Sequence, residues 1–524
     1  MTRHDITRFA VAALATLAAC TARTGPVPAT GMPRVAVVPK PVSLQERGGA
    51  PFSLRDSTWI VTDAGGDADV TRVANMLAML LRAGSGHTVN VGDAGTPMTR
   101  GQIRLKLDGA RSDLGDEGYT LAVTPDSVAI VARRPAGVFY GVQTLRQLFP
   151  YQVEQDMALA DTSIWKVPAV SVTDRPRFTW RGAMLDVSRH FFTVDEVKQY
   201  IDLLALYKMN RLHLHLSDDQ GWRIEIKSRP QLTGTSSATQ VGGGPGGFYT
   251  QADYADIVRY AADRFITIVP EIEMPAHINA LLYAFPQVNC GKKDVGNYTG
   301  TNVGFSAICP DTAETWAILD DVIREVAGMT PGPWFHIGGD EVQALTPQQY
   351  ATFIEHAQSI VNKYGKTMIG WDEIQKSRLV PSSIVQMWRP ESEKMSAGGQ
   401  KMILSPSKKV YIDMQYDSST VVGLHWAAYV QPQTTYDWDP ATLSPGITES
   451  DILGIEAPLW SETIRNITAA MYLAVPRLPA MAEVAWTPQA ERSWSDFRQR
   501  IAAHAPRWRL LGINYFPSPQ ISWF

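Results

Sequence analysis

The chain has 524 residues, of which 45% are hydrophobic and 19% charged, a composition typical of a folded protein with two or three domains and not of a disordered one. Its formal net charge is −4 and it has no run of lysine or arginine, which argues against a nucleic-acid-binding protein. The 15 tryptophans and 18 tyrosines would suit a site that stacks on sugar rings, although large α/β enzymes also bury many aromatic residues.

The first twenty residues are typical of an export signal. A basic start is followed by an apolar run from Phe9 to Ala19, which is too short to span a membrane. Its end, Leu17 to Cys20, resembles a bacterial lipoprotein signal, in which the cysteine is acylated and becomes the first mature residue. We expect a signal at residues 1–19, an acylated Cys20, and an exported protein, periplasmic or at the outer membrane or cell surface, that touches the membrane only through this anchor. An ordinary signal peptide cleaved nearby is the alternative.

Two further cysteines, Cys290 and Cys309, remain in the exported chain. An even pair in an oxidising compartment favours a disulfide that closes one polar loop. Two buried thiols are the alternative. A metal site is less favoured, because no histidines stand near the cysteines at ligand spacing.

Two segments precede the main body of the chain. Residues 20–34 are rich in Pro, Gly, Thr and Ala and are interpreted as a linker. In residues 35–174, the β-rich runs GYTLAV and SVAIVAR accompany two helical stretches, ADVTRVANMLAMLLRAG and GVFYGVQTLRQLFP. This order predicts a small α/β domain with a mainly antiparallel sheet.

Residues 175–524 change to short apolar runs that end in polar residues and alternate with helical patterns. The candidate strands are GAMLDVSR, RLHLHLSD, ITIVPEIEMP, WFHIGGDE, TMIGWDE, SIVQMW, KVYIDMQY and ILGIEAPLWSE. Eight such units predict a (β/α)₈ barrel, whose sites lie at the carboxyl ends of the strands. An open doubly wound sheet is the alternative, but no dinucleotide-binding or phosphate-loop motif opens a helix here.

The run HIGGDE, residues 336–341, ends in two adjacent acids. Most glycosidases need two carboxylates that face one bond from opposite sides. Neighbours on a strand point to opposite faces, so Asp340 and Glu341 are not expected to act as general acid and nucleophile. Acid pairs are common in this chain, but Asp218, Asp340 and Asp372 are distinguished because each follows a predicted barrel strand.

Seven strings in this order closely resemble the β-N-acetylhexosaminidases of glycoside hydrolase family 20: GAMLDVSRHFF, LHLSDDQGWRIEI, PEIEMPAH, HIGGDE, GWDE, YIDMQY and LWSE. GDEGYTLAV and GVFYGVQTLRQL resemble the small domain that precedes the barrel in that family. The resemblance implies an exo-acting, retaining enzyme that removes terminal β-linked N-acetylhexosamine from oligosaccharides or glycoconjugates without a metal or other cofactor. In this class the sugar's own 2-acetamido oxygen is the nucleophile, and an oxazolinium intermediate forms.

The resemblance also assigns the catalytic roles. Glu341 would be the general acid and then the base, and it needs a pKa raised by burial near a like charge. Asp340 would accept the acetamido N–H and orient the group. Tyr411 would donate its hydroxyl to the acetamido oxygen.

The same resemblance implies a closed pocket for one terminal sugar. Arg189 would bind the 3- and 4-hydroxyls, while Asp413 and Glu462 would accept from the 4- and 6-hydroxyls. Three tryptophans would wall the acetamido methyl and stack under the ring: Trp371, Trp388 and Trp460. Asp218 and His277 resemble a pair that connects to the acid and tunes it.

Each of these residues has an ordinary structural explanation when it is taken alone, as packing or as an ion pair. Two rival functions also stand. His213 and His215 lie on one face of a strand, where a His-x-His motif can hold a catalytic metal, although core packing explains them too. A surface lipoprotein that captures glycans without cleaving them is the other. The sequence leaves open the N-acetylglucosamine or N-acetylgalactosamine preference, the natural polymer and the oligomeric state.

Overall fold

The computed structural model describes residues 35–97, 100–159, 161–290, 295–389 and 398–523. The export signal and Cys20, expected within residues 1–34, lie outside these described residues. Within the described ranges, no helix is both long and apolar enough to cross a membrane.

Nine short strands form the sheets of the first domain: β1 (Ser43–Glu46), β2 (Phe52–Ser53), β3 (Trp59–Asp63), β4 (Asn90–Asp93), β5 (Gln102–Leu107), β6 (Tyr119–Val123), β7 (Ser127–Ala132), β8 (Lys166–Val167) and β9 (Val170–Asp174). Strands β2 and β8 form a separate pair, and the other seven make one sheet in the order β1-β9-β6-β7-β5-β3-β4. From β1 to β7 the sheet is antiparallel, as the sequence predicts. From β7 to β4 the strands run parallel, so the sheet is mixed.

Two helices, α1 (Ala68–Ser85) and α2 (Pro135–Leu148), pack on this sheet and on each other. Helix α1 connects β3 to β4, and such a helical crossover is what a parallel pairing requires. It begins at Asp67, whose carboxylate accepts two backbone N–H groups of the first turn, and ends at Gly86 in the left-handed conformation. Its buried residues recur at helical spacing: Val70, Val73, Ala74, Leu77, Ala78 and Leu81.

Eight parallel strands then close into a barrel, which confirms the predicted architecture. They are β10 (Trp180–Asp186), β11 (Arg211–His215), β12 (Thr267–Glu271), β13 (Trp334–His336), β14 (Thr367–Trp371), β15 (Ile384–Met387), β16 (Lys401–Leu404) and β17 (Ile452–Ala457). Strand β17 returns to pair with β10 and closes the ring.

Among the described residues, α-helices follow six of the eight barrel strands, whereas β14 is followed by a short 3-10 turn, Asp372–Lys376, and no helix is described between β15 and β16. The helices of this domain are α3 (Val194–Leu206), α4 (Gln231–Ser236), α5 (Gln251–Ala262), α6 (Asn279–Ala284), α7 (Ala313–Met329), α8 (Pro347–Lys363), α9 (Ser407–Val410), α10 (Pro432–Tyr436), α11 (Ile467–Ala474), α12 (Arg477–Trp486), α13 (Trp494–Ala502) and α14 (Ala505–Leu510).

The seventh barrel strand is not the one that the sequence predicts. The run KVYIDMQY was expected to be a strand, but β16 is the four-residue run before it, and Ser407–Val410 is helical. Pro406 stands just before this helix, where its fixed φ suits a helix start. The prediction failed because a four-residue strand carries little alternating pattern. Tyr411 and Asp413 therefore lie in the loop that follows β16, still at the carboxyl end of the barrel.

Buried charges join the amino-terminal end of the barrel to the first domain. The guanidinium of Arg181 donates to Glu117 at 3.0 and 2.7 Å. The ammonium of Lys208 donates to Asp174 at 3.0 Å and to the hydroxyl of Tyr119 at 2.8 Å. The first domain thus contacts the strand starts and leaves open the carboxyl ends, where barrel enzymes carry their sites.

Candidate active site

A pocket of about 270 Å³ opens at the carboxyl end of the barrel. Eight of the nine residues predicted to be catalytic or substrate-binding line it: Arg189, Asp340, Glu341, Trp371, Trp388, Tyr411, Trp460 and Glu462. The ninth, Asp413, is buried beside it, close enough for the charge of Glu462 to act on its carboxylate. The volume falls just below the range of pockets that hold drug-sized ligands, so it suits a single sugar ring.

The two adjacent acids lie on a turn and not on a strand, which corrects the premise that they point to opposite faces as strand neighbours. Strand β13 ends at His336. Beyond it Gly338 and Gly339 have φ values of 68° and 97°, and Glu341 has φ of 52°. A left-handed backbone is uncommon for a glutamate and costs about 1–3 kcal/mol, which the surroundings must offset.

Glu273, two residues after the end of β12, supports this turn. Its Oε1 accepts the backbone N–H of Gly339 at 3.0 Å. A Cβ atom on Gly338 would lie 1.9 Å from the same oxygen, so only glycine fits there. On the other side the hydroxyl of Tyr350 donates to the carbonyl of Gly339 at 2.7 Å. The turn is therefore held by two hydrogen bonds to Gly339 and by the lack of space for a side chain at Gly338.

Glu341 faces His277, which lies in a second left-handed position with φ of 50°. The Nε2 atom of His277 is 3.2 Å from Glu341 Oε2, and its Nδ1 is 3.5 Å from Asp218. Arg189 lies 2.8 Å from the other oxygen of Asp218. The structure therefore brings together a row of alternating charges: Arg189, Asp218, His277 and Glu341.

These neighbours reverse the expected pKa of the acid. Contact with the His277 imidazole holds the pKa of Glu341 below its ordinary value, whereas the sequence led us to expect a raised one. Burial alone would lower the pKa of His277, but Asp218, Glu341 and Asp340 together outweigh it and raise that pKa well above its usual range. These two shifts place the proton of the pair on His277.

Asp340 behaves in the opposite way. Burial raises the pKa of its carboxyl to about 6, with a further contribution from the negative charge of Glu341. Its Oδ1 is buried and has no hydrogen-bond partner among the described residues. A buried carboxylate oxygen without a donor is costly, so this atom is suited to accept an N–H or O–H from a ligand.

Other polar atoms around the pocket share this property. Both carboxylate oxygens of Asp413, Oε2 of Glu462 and Nε of Arg189 are buried without a partner among the described residues. Burial raises the pKa values of Asp413 and Glu462 above their ordinary range. The pocket thus offers several acceptors and one cationic donor, a set that matches a ligand with many hydroxyl groups.

Aromatic rings form the walls of the pocket. Trp371 and Trp460 have centroids 5.7 Å apart, and Trp388 stacks on Tyr411 at 6.4 Å with an angle of 18° between the planes. The guanidinium of Arg189 lies 4.8 Å from the ring of Trp460. These rings give apolar faces beside the polar acceptors.

Several residues of the site were missed from the sequence. The pocket is also lined by Thr301, Val303, Leu424 and Trp426. Val303 and Trp426 are 41% and 57% exposed, which assigns them to its mouth. They lie in irregular loops after β12 and β16, where no strand-end pattern marks them, and only an exposed tryptophan in a loop could have been a signal.

The two remaining cysteines lie at the base of one of these loops. Cys290 and Cys309 are joined by a disulfide, with the Cα atoms 4.8 Å apart. The segment they close contains Thr301 and Val303. The disulfide therefore fixes the ends of a loop that contributes to the pocket mouth.

His213 and His215, the residues behind the metal hypothesis, are buried in the barrel core. His213 Nδ1 lies 2.8 Å from Glu456 and its Nε2 lies 3.0 Å from Glu271. His215 Nε2 lies 2.8 Å from Asp218. Each of these distances is that of a hydrogen bond or ion pair between a histidine and a buried carboxylate. The two histidines serve the core as a hydrogen-bonded charge network.

Comparison with known proteins agrees with this geometry. The family model "Glycosyl hydrolase family 20, catalytic domain" matches residues 178–489, and the family model "Glycosyl hydrolase family 20, domain 2" matches residues 34–175. A β-N-acetylhexosaminidase of Cellulomonas fimi is 42% identical over 501 residues, which cover 94% of this chain and 98% of that protein.

Solved structures give the same result. The N-acetyl-β-hexosaminidase of Streptomyces plicatus, in complex with Thio-NAglucal, is 45% identical and superposes with a TM-score of 0.88 over 96% of this chain and 99% of its own. An exo-β-N-acetylglucosaminidase of Vibrio harveyi, in complex with N-acetylglucosamine, is 29% identical, with a TM-score of 0.81 over 94% of this chain and 80% of its own. The chain described here therefore belongs to glycosyl hydrolase family 20.

Proposed function

We propose that Glu341 and Asp340 divide the work of a retaining, exo-acting β-N-acetylhexosaminidase, Glu341 on the glycosidic oxygen and Asp340 on the substrate's acetamide. One observation carries the assignment. The turn that bears the two acids projects both into one pocket, where Asp340 Oδ1 is buried without a partner in the described part of the chain, while Glu341 stays partly exposed beside His277. Asp340 is therefore suited to accept an N–H from the substrate. Glu341, with the proton of His277 nearby, is suited to protonate a leaving oxygen.

The acetamido group acts as the nucleophile in this scheme. Asp340 accepts its N–H, and the hydroxyl of Tyr411 donates to its carbonyl oxygen, which is thereby aimed at the anomeric carbon. Attack by that oxygen breaks the bond to the leaving oxygen and forms an oxazolinium ring, whose positive charge the Asp340 carboxylate stabilises. Trp371 and Trp460 supply the apolar wall for the acetamido methyl.

Glu341 must carry a proton when the leaving oxygen departs, and the His277–Glu341 pair supplies it. The pair shares one proton, which rests on His277, whose Nε2 lies 3.2 Å from Glu341 Oε2. A sugar in the pocket excludes water from Glu341, which favours the neutral carboxyl and moves the proton across this contact. The same carboxylate then takes a proton from the water that opens the oxazolinium ring.

The other polar atoms select a terminal sugar. Arg189, Asp413 and Glu462 offer one donor group and three buried acceptor oxygens that have no partner among the residues the structure describes, and these fit the hydroxyls at positions 3, 4 and 6. Because these buried groups would bind the free hydroxyls of a terminal sugar, the substrate enters by its non-reducing end. The leaving portion passes Val303 and the exposed ring of Trp426 at the mouth.

The experiment compares an aryl β-N-acetylglucosaminide with the matching aryl β-glucoside, which lacks only the acetamido group. We expect rapid hydrolysis of the first and a loss of at least about 10³-fold with the second, because the internal nucleophile is gone. Equal rates on the two would refute the substrate-assisted mechanism. Hydrolysis that exhaustive EDTA abolished and zinc restored would favour the metal enzyme, and no turnover of either substrate at any pH would favour glycan capture.

We further propose that the protein is exported and held at a membrane surface by acyl chains on Cys20. The support is the sequence from Met1 to Cys20, a basic start and a short apolar run that ends in LAAC. In a bacterial host fed labelled palmitate, we expect label in the wild type and none in Cys20→Ser, with the variant released to the soluble fraction. A soluble, unlabelled wild type would favour an ordinary signal peptide.

A further inference from the structure

We propose that Glu271 is a positioning residue of the reaction, whose buried carboxylate orients the Trp371 wall and, through His215, the Asp218–His277 pair behind Glu341. The proposal rests on the proposed function, because it assigns these groups their roles. Glu271 touches none of the reacting atoms and does not line the pocket.

The contacts of Glu271 divide between its two oxygens. Oε1 accepts the indole N–H of Trp371 at 3.0 Å and lies 2.8 Å from Nδ1 of His336. Oε2 is in close contact with Nδ1 of His215 and lies 3.0 Å from Nε2 of His213. One carboxylate therefore meets groups from three neighbouring strands, β11, β13 and β14, and all five side chains are fully buried.

The first connection from this carboxylate leads to the acetamide wall. The ring of Trp371 lies 5.7 Å from that of Trp460, and both line the pocket. An indole has one donor, and when buried it usually needs a partner. Since Glu271 is that partner, it fixes the rotation of the Trp371 ring against the substrate's methyl group.

The second connection leads to the acid. His215 lies between two carboxylates, with Nδ1 on Glu271 and Nε2 at 2.8 Å from Asp218. Both ring nitrogens carry protons in such a position, so the imidazolium presents an N–H to Asp218. Asp218 in turn lies 3.5 Å from His277, whose other nitrogen reaches Glu341. The row of charges behind Glu341 therefore extends to strand β12.

The protonation of the His215 imidazole depends on the charged side chains around it. Asp186 from β10 and Asp218 add negative charge, while Arg189, 3.5 Å away, opposes it. Burial alone would lower the pKa of His215, but these carboxylates and above all Glu271 raise it to about 10. The histidines of β11 and β13 also face Glu271 and lower its pKa. The negative charge of Glu271 in turn helps to raise the pKa values of Glu273 and Asp340.

The test is the pH profile of kcat/KM for Glu271→Gln on an aryl β-N-acetylglucosaminide. Gln keeps the shape and one acceptor but removes the charge, so His215 should lose its proton near neutral pH. We expect a drop of at least 10-fold in kcat/KM at pH 8 and a smaller drop at pH 5.5, that is, a new titration in the neutral range. A merely structural role would lower kcat/KM by the same factor at every pH, and that result would overturn the proposal.

Two further variants test the connections of Glu271 to Trp371 and to His215 separately. They also keep the proposal testable if Glu271→Gln folds poorly. Trp371→Phe keeps the ring and loses only the N–H, so it should weaken inhibition by N-acetylglucosamine several-fold without a new titration. His215→Gln keeps a donor for Asp218 without the charge, and in this background Glu271→Gln should cost little more. Costs that multiply independently would refute the link through His215. An inactive wild type would instead refute the proposed function.

Discussion

Both ends of the barrel contain buried charges, but the two ends differ in how these charges are paired. At the amino-terminal end, Arg181 is paired with Glu117 and Lys208 with Asp174, at distances of 2.7 to 3.0 Å. At the carboxyl end, Asp340 and Asp413 have buried oxygens without a partner among the described residues. Glu341 and His277 also hold left-handed backbone conformations there.

This difference separates stability from function within one fold. A buried charge whose partner belongs to the protein stabilises the packing of two elements, provided that neither partner is removed. A buried charge whose partner is missing costs free energy until a ligand provides the donor. The amino-terminal end therefore joins the two domains, while the carboxyl end retains unsatisfied groups for a substrate, and changes at the two ends should affect different measurements.

The largest effect is expected at the carboxyl end, from Asp340→Asn and Glu341→Gln. Each should lower kcat by about 10²–10⁴-fold with little change in the midpoint of thermal unfolding. Glu341→Gln should be partly spared by an aryl leaving group that needs no proton, whereas Asp340→Asn should not, because it impairs formation of the ring itself. Rates on two aryl substrates of different leaving-group pKa check this, and equal sensitivity in both variants would contradict the division of roles.

At the amino-terminal end, Lys208→Met should destabilise the protein without changing kcat. It leaves Asp174 buried without its cation and should cost about 3–5 kcal/mol in the free energy of unfolding. The matched control is Lys198→Met, since Lys198 pairs with Asp256 at 2.6 Å on the surface and should contribute only about 0–1 kcal/mol. The comparison is made by measuring the midpoints of denaturant unfolding for both variants. Equal losses would show that burial of the pair does not matter here.

The barrel was predictable because seven of its eight strands are apolar runs that end in polar residues, and the sugar-binding residues stand at those ends. The seventh strand was not, because four residues between a glycine pair and Pro406 carry too little pattern. The lowered pKa of Glu341 was also out of reach, since it depends on His277, which is 64 positions away in the sequence but only 3.2 Å away in space. Trp426 lies in a loop that has no periodicity to reveal it.

A smaller effect is expected from the loop that joins the core to the pocket mouth. Replacing both Cys290 and Cys309 by serine opens a loop of 19-residue separation and should cost about 3 kcal/mol of stability. Because this loop carries Val303 at the mouth, KM should rise a few-fold for a disaccharide and less for a small aryl glycoside. Reduced wild type should behave like the double variant, and an unchanged unfolding midpoint after reduction would contradict a stabilising role.

The last prediction is a pH dependence that reports the ionisation of Asp340. Asp340 must be ionised to accept the acetamido N–H, and burial raises its pKa to about 6. As pH falls through 6, the carboxyl becomes protonated, so kcat/KM should fall by up to tenfold for each further pH unit. Because kcat/KM reflects the free enzyme, this acid limb should be weaker in kcat, where the bound acetamide donates to the carboxylate and lowers its pKa. The residual activity of Asp340→Asn should lack the acid limb altogether. A limb that persisted in this variant would have to belong to a different group. The first group to test would be Glu273, by Glu273→Gln, because burial raises the pKa of Glu273 well above its ordinary value.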